Sequence, residues 1–328
     1  MRIPYYLLLA LLFSFCSCES EGLSPTGSDN RTLPKSNGGR LELVVVMEDY
    51  LWSGAVGEAV KRYFLRAQDG LPQVESIFRV MQVNPKEFNR LLKNSKNIIY
   101  VKLGEAKQAE TRDQFARPQT YAYFSAPTEE ELVKVINDKG PIIAQNIHDF
   151  EVSLMQQSFK KALQKNPGWL EQKGINMGIP QSFSIEKQEE DLIVLWNKSR
   201  KSDQGLFIHV EPLNHDKYSL GQRILPLRDS LTAIHFLGER EGSFMRVEDF
   251  IPPVFNNTKI DDQFAIETRG LWRTEGDFMG GPFLSYTIYN ELSQQKVTID
   301  AFFYGPELKK RNFMLELEAV LKSLEFIN

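Results

Sequence analysis

The chain has 328 residues, which is enough for one large domain or two ordinary ones. Hydrophobic residues make up 42% and charged residues 25%, the composition of an ordinary globular protein, so wholesale disorder is excluded. A formal net charge of -4 excludes the strongly basic surface of a nucleic-acid-binding protein, and we expect no nucleic-acid partner.

The N-terminus has the pattern of an export signal. An apolar stretch covers residues 5–15, which is shorter than the ~18 residues that span a bilayer and suits a secretory signal. The sequence FCSC at 15–18 then resembles a bacterial lipoprotein signal, because the small Ser17 stands before a cysteine. We predict a signal peptide over residues 1–17 and lipidation of Cys18, with acyl chains such as palmitate. The alternative is ordinary cleavage nearby and a soluble secreted protein.

Lipidation of Cys18 would also determine where the protein resides. A multiply acylated cysteine is a nearly permanent membrane anchor. We therefore expect a cell-envelope protein, an outer-membrane lipoprotein on the periplasmic side or at the cell surface. Both cysteines of the chain, Cys16 and Cys18, lie in this segment, so the exported body has no thiol for catalysis or metal binding.

The residues after the cysteine are small and polar. Residues 18–39 contain too little apolar surface to offset the entropy of ordering them. We predict a flexible tether over this segment. The body is expected to begin at Arg40 and to keep its stability without the tether.

The body begins with strands that alternate with helices. Apolar runs of strand length cover four segments, 41–47, 77–83, 97–103 and 121–124. Helical periodicity lies between them, and Thr128 opens a further helix as the first residue of a capping box. This alternation predicts an α/β layer domain over residues 40–173.

After residue 174 the pattern changes to short strands separated by glycine, asparagine or charged turns. A helical pattern covers residues 226–237, and a helix with an apolar face closes the chain. These elements predict a mainly antiparallel sheet covered by helices, an α+β domain over residues 174–328. Their order is faintly similar to the PsbP-like fold. The fold class expected for the whole chain is α+β / α/β.

Catalytic and metal-binding motifs are not visible in the sequence. The histidines are His148, His209, His215 and His235. They show no metal-ligand spacing such as HExxH, and there is no G-x-S-x-G or Walker motif. We predict no catalytic residue, no metal site and no cofactor, and hydrogen-bonded structural roles for His209 and His235.

Residues suited to ligand binding are densest in the glycine-rich segment 269–283. Its arginines can bind a carboxylate or phosphate, its tryptophan offers a flat apolar face, and its glycines permit positive φ or close approach of a ligand. The predicted ligand-binding residues are Arg269, Trp272, Arg273, Asp277, Gly280 and Gly281. The alternative is a wide structural loop held by an internal ion pair, for example Arg269 with Asp277.

The same segment carries a family resemblance. The sequence RGLW at 269–272, followed by DFMGGPF at 277–283, resembles the domain-of-unknown-function 4837 (DUF4837) family of bacterial lipoproteins. Residues 43–54 and 241–245 resemble further parts of the family, so that the resemblance covers about residues 36–326. It implies a lipid-anchored envelope protein and brings no assigned activity, substrate or catalytic residue.

Two functions of different classes follow from these patterns. The first is a non-catalytic lipoprotein that binds another envelope protein or a small anionic, peptide or sugar ligand. The second is an envelope hydrolase that acts on peptide, glycan or lipid. The lack of a recognisable nucleophile–base or metal constellation favours the first. A pocket with a histidine–carboxylate contact would favour the second, and a groove lined by arginine and tryptophan would favour the first.

The lipidation of Cys18 is tested by Cys18→Ala. We expect this variant to leave the membrane fraction or to remain an uncleaved precursor, because no thiol is left to acylate. Fractionation of cell extracts and the mass of the mature protein measure the outcome. A processed, full-length variant that still fractionates with membranes would contradict the assignment.

Overall fold

A computed structural model describes residues 32–214 and 222–327 of the chain. Residues from Pro34 onward belong to one compact unit. Cys18, the predicted signal peptide and His215 lie outside the described residues. Among the helices that the structure describes, none is long and apolar enough to cross a membrane.

The first half of the unit is built on a five-stranded sheet. Its strands are β1 (Glu42–Val46), β2 (Arg79–Val83), β3 (Asn97–Leu103), β4 (Lys107–Arg112) and β5 (Thr120–Ala126). They lie in the order β2-β1-β3-β5-β4, with β4 antiparallel to β5 and all other neighbours parallel. Strands β1 and β3 are continuous apolar runs in the sequence because apolar clusters cover both of their faces.

Helices connect these strands. They are α1 (Asp49–Ser53), α2 (Ala55–Phe64), α3 (Arg90–Lys93) and α4 (Glu129–Phe159). The apolar sides of α2 and α4 pack on one face of the sheet. Helix α4 begins where the capping box predicts, because the Thr128 hydroxyl accepts a hydrogen bond from the Glu131 N–H. The helix then continues for 31 residues, through Pro141.

The second half is built on an eight-stranded sheet in which every pairing is antiparallel. Its elements, with those that flank it, are α5 (Gly168–Gln172), β6 (Ile175–Asn176), β7 (Ser184–Gln188), β8 (Leu192–Lys198), β9 (Asp203–Pro212), α6 (Ile224–His235), β10 (Phe244–Val247), β11 (Val254–Ile260), β12 (Gln263–Glu275), β13 (Gly280–Asn290), β14 (Gln295–Tyr304), α7 (Arg311–Leu321) and β15 (Glu325–Phe326). The order is β10-β12-β13-β14-β9-β8-β7, and β11 also pairs with β12.

The two faces of this sheet pack against different helices. Alternate side chains of a strand point to opposite faces. Leu284 and Tyr286 of β13 therefore pack with α7, whereas Phe283 packs in an aromatic cluster with Phe302 and with Phe236 at the end of α6.

Helix α7 joins the two halves. Leu315 and Ala319 belong to the core of the five-stranded sheet, and Met314 and Leu317 belong to the core of the eight-stranded sheet. All four side chains are almost fully buried. The last helix of the chain is thus packed between two cores and contributes side chains to both.

The predicted fold class is confirmed: an α/β layer part is followed by an antiparallel sheet covered by helices. Four strands were not predicted: the two-residue strands β6 and β15, which pair with each other, and the longer strands β4 and β11. Strands β4 and β11 are edge strands with mostly exposed and polar residues, and therefore lack the apolar alternation that marks a strand in sequence.

Residues near the end of the predicted tether are hydrogen-bonded to the body. The Arg117 N–H donates to the Pro34 carbonyl (2.9 Å), and the Ser36 N–H donates to the Arg117 carbonyl (3.0 Å). Asn37 exchanges two backbone hydrogen bonds with segment 94–96, both of 2.8 Å. The compact unit therefore starts at Pro34, six residues before Arg40.

Removal of residues 32–39 is therefore expected to destabilise the body. Four backbone hydrogen bonds are lost, and at about 1 kcal/mol each the free energy of unfolding should fall by roughly 2–4 kcal/mol. Urea unfolding of proteins that start at residues 19, 32 and 40 measures this. The first two should unfold at the same urea concentration and the third at a lower one. Equal midpoints for all three would contradict the prediction.

Candidate functional site

The glycine-rich segment forms a hairpin rather than the expected wide loop. Strands β12 and β13 pair up to Arg273 and Gly280, and the connection covers residues 276–279. Of the four glycines in the segment, only Gly276 has a positive φ. Gly281 is required for packing, since a Cβ there would lie 2.1 Å from the carbonyl oxygen of Phe303.

The structure does not bring the predicted ligand-binding residues together, because they lie on different faces of the sheet. Trp272 is 2% exposed and packs against Phe302, with ring centroids 5.4 Å apart, on the side of α6. Arg269 lies on the opposite face and contacts α7. Arg273 forms ion pairs with Glu275 (2.8 Å) and with other surface carboxylates. Trp272 and Arg269 therefore do not line a common groove.

The ion pair of Arg269 with Asp277, given as an example for the alternative structural loop, is not formed either, because both side chains have other partners. Asp277 lies at the hairpin turn, and its carboxylate accepts hydrogen bonds from the backbone N–H groups of Phe278, Glu239 and Arg240. These bonds, that of Phe278 first, hold the pKa of Asp277 below its usual value. Asp277 thus fixes the hairpin turn to residues 239–240.

Arg269 is instead the centre of a buried ion network. Its guanidinium donates to both carboxylate oxygens of Glu267, at 2.9 and 3.1 Å, and to Oε2 of Glu318 at 2.8 Å. The Tyr286 hydroxyl also donates to Glu267, at 2.9 Å. Glu318 is only 1% exposed and belongs to α7, so this network ties the helix to the sheet.

Two further side chains complete the network around Glu318. Lys322 directly follows α7, and its Nζ lies 3.0 Å from Oε1 of Glu318 and 3.3 Å from Oδ1 of Asp149. The Nε2 of His148, from α4, lies 3.5 Å from Oε2 of Glu318. We define these six residues as the Arg269 network: His148, Asp149, Glu267, Arg269, Glu318 and Lys322.

The network determines the protonation of its members. Burial opposes ionisation of Glu318, but the charges of Arg269 and Lys322, together with that of His148 when it is protonated, hold the pKa of Glu318 well below the usual value. Burial likewise opposes ionisation of Glu267, whose pKa is lowered by Arg269. Burial lowers the pKa of His148, more than Glu318 raises it. At neutral pH both glutamates are therefore charged and His148 is neutral.

The Arg269 network forms the floor of a cavity of about 860 Å³. Its walls come from α4, from β11, from the segment after α2 and from α7. Amide and hydroxyl side chains line much of the rest, namely Gln68, Gln145, Asn256, Asn257 and Thr258. Of the residues predicted to bind a ligand, Arg269 alone lines this cavity.

Sequence reasoning missed the rest of this site. His148, Glu318 and Lys322 lie on helices and are separated from Arg269 by 49 or more residues in the sequence. The only local signal was the i,i+4 spacing of Glu318 and Lys322, which is common on exposed helix faces.

The other described histidines do not assemble into a site. The Nε2 of His209 lies 3.4 Å from Asp191, and the Nδ1 of His235 lies 3.1 Å from the Nζ of Lys187. No group of three or more histidine, cysteine or acidic side chains within residues 32–214 and 222–327 is arranged to hold a metal ion.

Comparison with known proteins identifies the domains. Residues 162–323 match the family model of the domain of unknown function DUF4837, and residues 36–160 match that of a second domain of unknown function, DUF8532. The C-terminal half of the chain therefore matches the DUF4837 family, as its motifs predict. The expected extent of 36–326 is corrected, since the first half matches a separate family model.

Similarity to individual proteins adds little. No curated protein matches the chain. Two solved structures are weakly similar to part of the chain. The Saccharomyces cerevisiae Ran-binding protein Mog1p has 11% identity and a TM-score of 0.32, and the match covers 48% of this chain and 93% of that chain. A Mog1 mutant has 10% identity and a TM-score of 0.27, and the match covers 47% of this chain and 92% of that chain. Scores this low carry no argument, and the PsbP-like arrangement stays a prediction.

The difference between Arg269 and Arg273 is testable by alanine substitution. Arg269→Ala removes the guanidinium that pairs with the buried carboxylates of Glu267 and Glu318 and leaves Glu318 with Lys322 alone as an ammonium partner, so we expect the free energy of unfolding to fall by about 3–5 kcal/mol. Arg273→Ala removes surface ion pairs and should cost at most about 1 kcal/mol. Urea unfolding of both variants measures this. Equal losses would contradict the assignment of Arg269 to a buried network.

The free energy of unfolding is expected to fall as the pH falls from about 7 toward 5. The folded protein holds the pKa of His148 below its ordinary value of 6.5, so in this range the unfolded chain binds a proton that the folded chain does not. His148 thus contributes stability above pH 6.5 that is lost as the pH falls to its folded pKa. His148→Gln should flatten this part of the urea-unfolding profile. An unchanged slope would show that His148 does not titrate in this way.

Proposed function

We propose that the protein is a lipid-anchored cell-envelope protein of the outer membrane, on its periplasmic side or at the cell surface, that binds a peptide or glycan segment in the cavity above the Arg269 network. The observation that carries the proposal is the cavity itself. It is large enough for a short oligosaccharide or peptide, at about 860 Å³, and a closed set of ion pairs holds its floor rigid.

The charges around the cavity favour a neutral polar ligand over an anion. The cavity lining carries five carboxylates and four cationic side chains, and His148 is neutral. The cationic side chains are Arg66, Lys259, Arg269 and Lys322. Arg269 already donates to two of these carboxylates, so little positive charge is left for a ligand phosphate or carboxylate. The amide and hydroxyl groups at 256–258 supply the donors and acceptors that sugars and peptide backbones require.

One observation favours the alternative, an envelope hydrolase acting on peptide, glycan or lipid. The contact of His148 with Glu318, inside a cavity and with shifted pKa values, is an arrangement found in active sites. Glu318, however, is held ionised by Arg269 and Lys322 and is a poor proton acceptor. Among the residues that the structure describes, those lining the cavity include no serine or cysteine that His148 would activate. Binding without catalysis is therefore the better-supported function.

The proposal is tested by blocking the cavity from β11. Thr258 lines the cavity, whereas Phe255 on the same strand lies on the opposite face and is 43% exposed. We expect Thr258→Trp to weaken binding of a chitin oligosaccharide or a neutral tripeptide at least tenfold, and Phe255→Trp to leave it unchanged. Calorimetric titration of the mature chain carrying Cys18→Ala measures both.

Three outcomes decide between the functions. Loss of binding in Thr258→Trp alone supports the cavity. Equal binding by both variants contradicts it. Turnover of either probe, abolished by His148→Gln, would favour the hydrolase.

A further inference from the structure

The face of the five-stranded sheet opposite α2 and α4 carries a surface of aromatic rings and lysines. Tyr100 and Tyr123 are register partners on β3 and β5, and their rings stack with centroids 5.7 Å apart. Tyr121 follows, in edge contact with Phe115 at 5.4 Å. All three tyrosines are only half-buried. We define the tyrosine–lysine face as Lys93, Tyr100, Lys102, Lys107, Tyr121 and Tyr123.

The lysines of this face hold their charges over the rings. The Nζ atoms of Lys102 and Lys107 lie 5.8 and 6.0 Å from the ring centroid of Tyr123, and that of Lys93 lies 5.6 Å from that of Phe115. None of these three lysines forms an ion pair within the described residues. Lys96, which follows the last turn of α3, differs in pairing with Glu151 at 3.0 Å. The face is therefore locally basic on a chain whose net charge is -4.

The anchored end of the chain joins the body at the edge of this face. Asn37 is hydrogen-bonded to segment 94–96, directly after Lys93, and Pro34 is hydrogen-bonded to Arg117, two residues after Phe115. Cys18 precedes Pro34 by 16 residues, which span at most about 55 Å when fully extended. A lipid on Cys18 would thus keep this edge of the body within about 55 Å of the bilayer.

We propose that the tyrosine–lysine face docks on the headgroup layer of the membrane and binds anionic phospholipids. Tyrosine is enriched at the membrane–water interface because its ring is apolar and its hydroxyl is polar. Lysines close to an anionic surface are attracted to it, and salt weakens the attraction. The proposal rests on the proposed function in one respect, since the lipid anchor is what brings the protein to the membrane. The affinity of the tyrosine–lysine face for lipid does not depend on the anchor and can be measured on the body alone.

The experiment uses the mature chain with Cys18→Ala, which carries no lipid, so failure of lipidation and failure of docking are distinguishable. Sedimentation with vesicles of phosphatidylglycerol and phosphatidylethanolamine at low ionic strength measures partition. We expect the double variant Lys102→Gln/Lys107→Gln to bind these vesicles about 25-fold more weakly than the unsubstituted chain, which is about fivefold per lysine. The matched control Lys160→Gln/Lys161→Gln removes the same charge from exposed lysines after α4 and should partition as the unsubstituted chain does.

Each outcome decides the proposal. Vesicle binding that is weaker in the face variant than in the control, and absent with phosphatidylcholine alone, supports docking. No preference for anionic vesicles, or equal losses in the two double variants, overturns it. A dimer in solution that dissociates only in the face variant, without loss of vesicle binding, would assign the face to a second copy of the chain and also overturn it. Unchanged melting temperatures show that both double variants are folded.

Discussion

The hydrogen bonds from Arg269 to Glu267 and Glu318 are the interaction on which the two halves of the molecule depend. Arg269 and Glu267 belong to β12, and Glu318 belongs to α7, which is packed between both cores. Helix α4 takes part in the same network, because its His148 contacts Glu318 and its Asp149 contacts Lys322. Buried ions of this kind cost several kcal/mol each unless all partners are present, so the network is stable only when sheet, α7 and α4 are docked together.

Close backbone packing strengthens the same junction. Gly70 has a φ of +73°, and a Cβ there would lie 2.9 Å from the backbone nitrogen of Gly270. The segment that follows α2 thus lies directly on β12, next to Arg269. The cavity lies at this junction, where charged and polar side chains, rather than close-packed apolar ones, lie between α4, α7 and the sheet.

The opposite face of the eight-stranded sheet uses the same chemistry with fewer partners. Arg228 of α6 donates to Asp300 at 2.9 Å and lies over the ring of Phe283 at 3.8 Å. Both charged side chains are at most 1% exposed, and burial raises the pKa of Asp300 above its usual value despite Arg228. Each of the two covering helices is therefore joined to the sheet by a buried arginine–carboxylate pair. Glu318 has three positively charged or titratable neighbours, which is why its pKa is lowered whereas that of Asp300 is raised.

The proposed functions use different sides of the molecule. Helix α4 lies on one face of the five-stranded sheet and lines the cavity, and the tyrosine–lysine face is the other face of that sheet. If both proposals hold, the docked body presents its cavity on the side away from the bilayer. A ligand in the space beyond the membrane would then reach it without passing between protein and lipid.

The sequence by itself determined the elements whose signals are local. Strand β3 lies at 97–103 as predicted, α4 starts after Thr128, and the last helix and the family were recognised from their residues. Tertiary structure alone decided the partners of Arg269 and the burial of Trp272. A strand alternates its side chains, so Arg269 and Trp272, three residues apart, must face opposite ways, and the helix on each side determines their surroundings. Periodicity depends on neighbours in the chain, but Glu318 lies 49 residues away and was placed beside Arg269 only when α7 packed between the two cores.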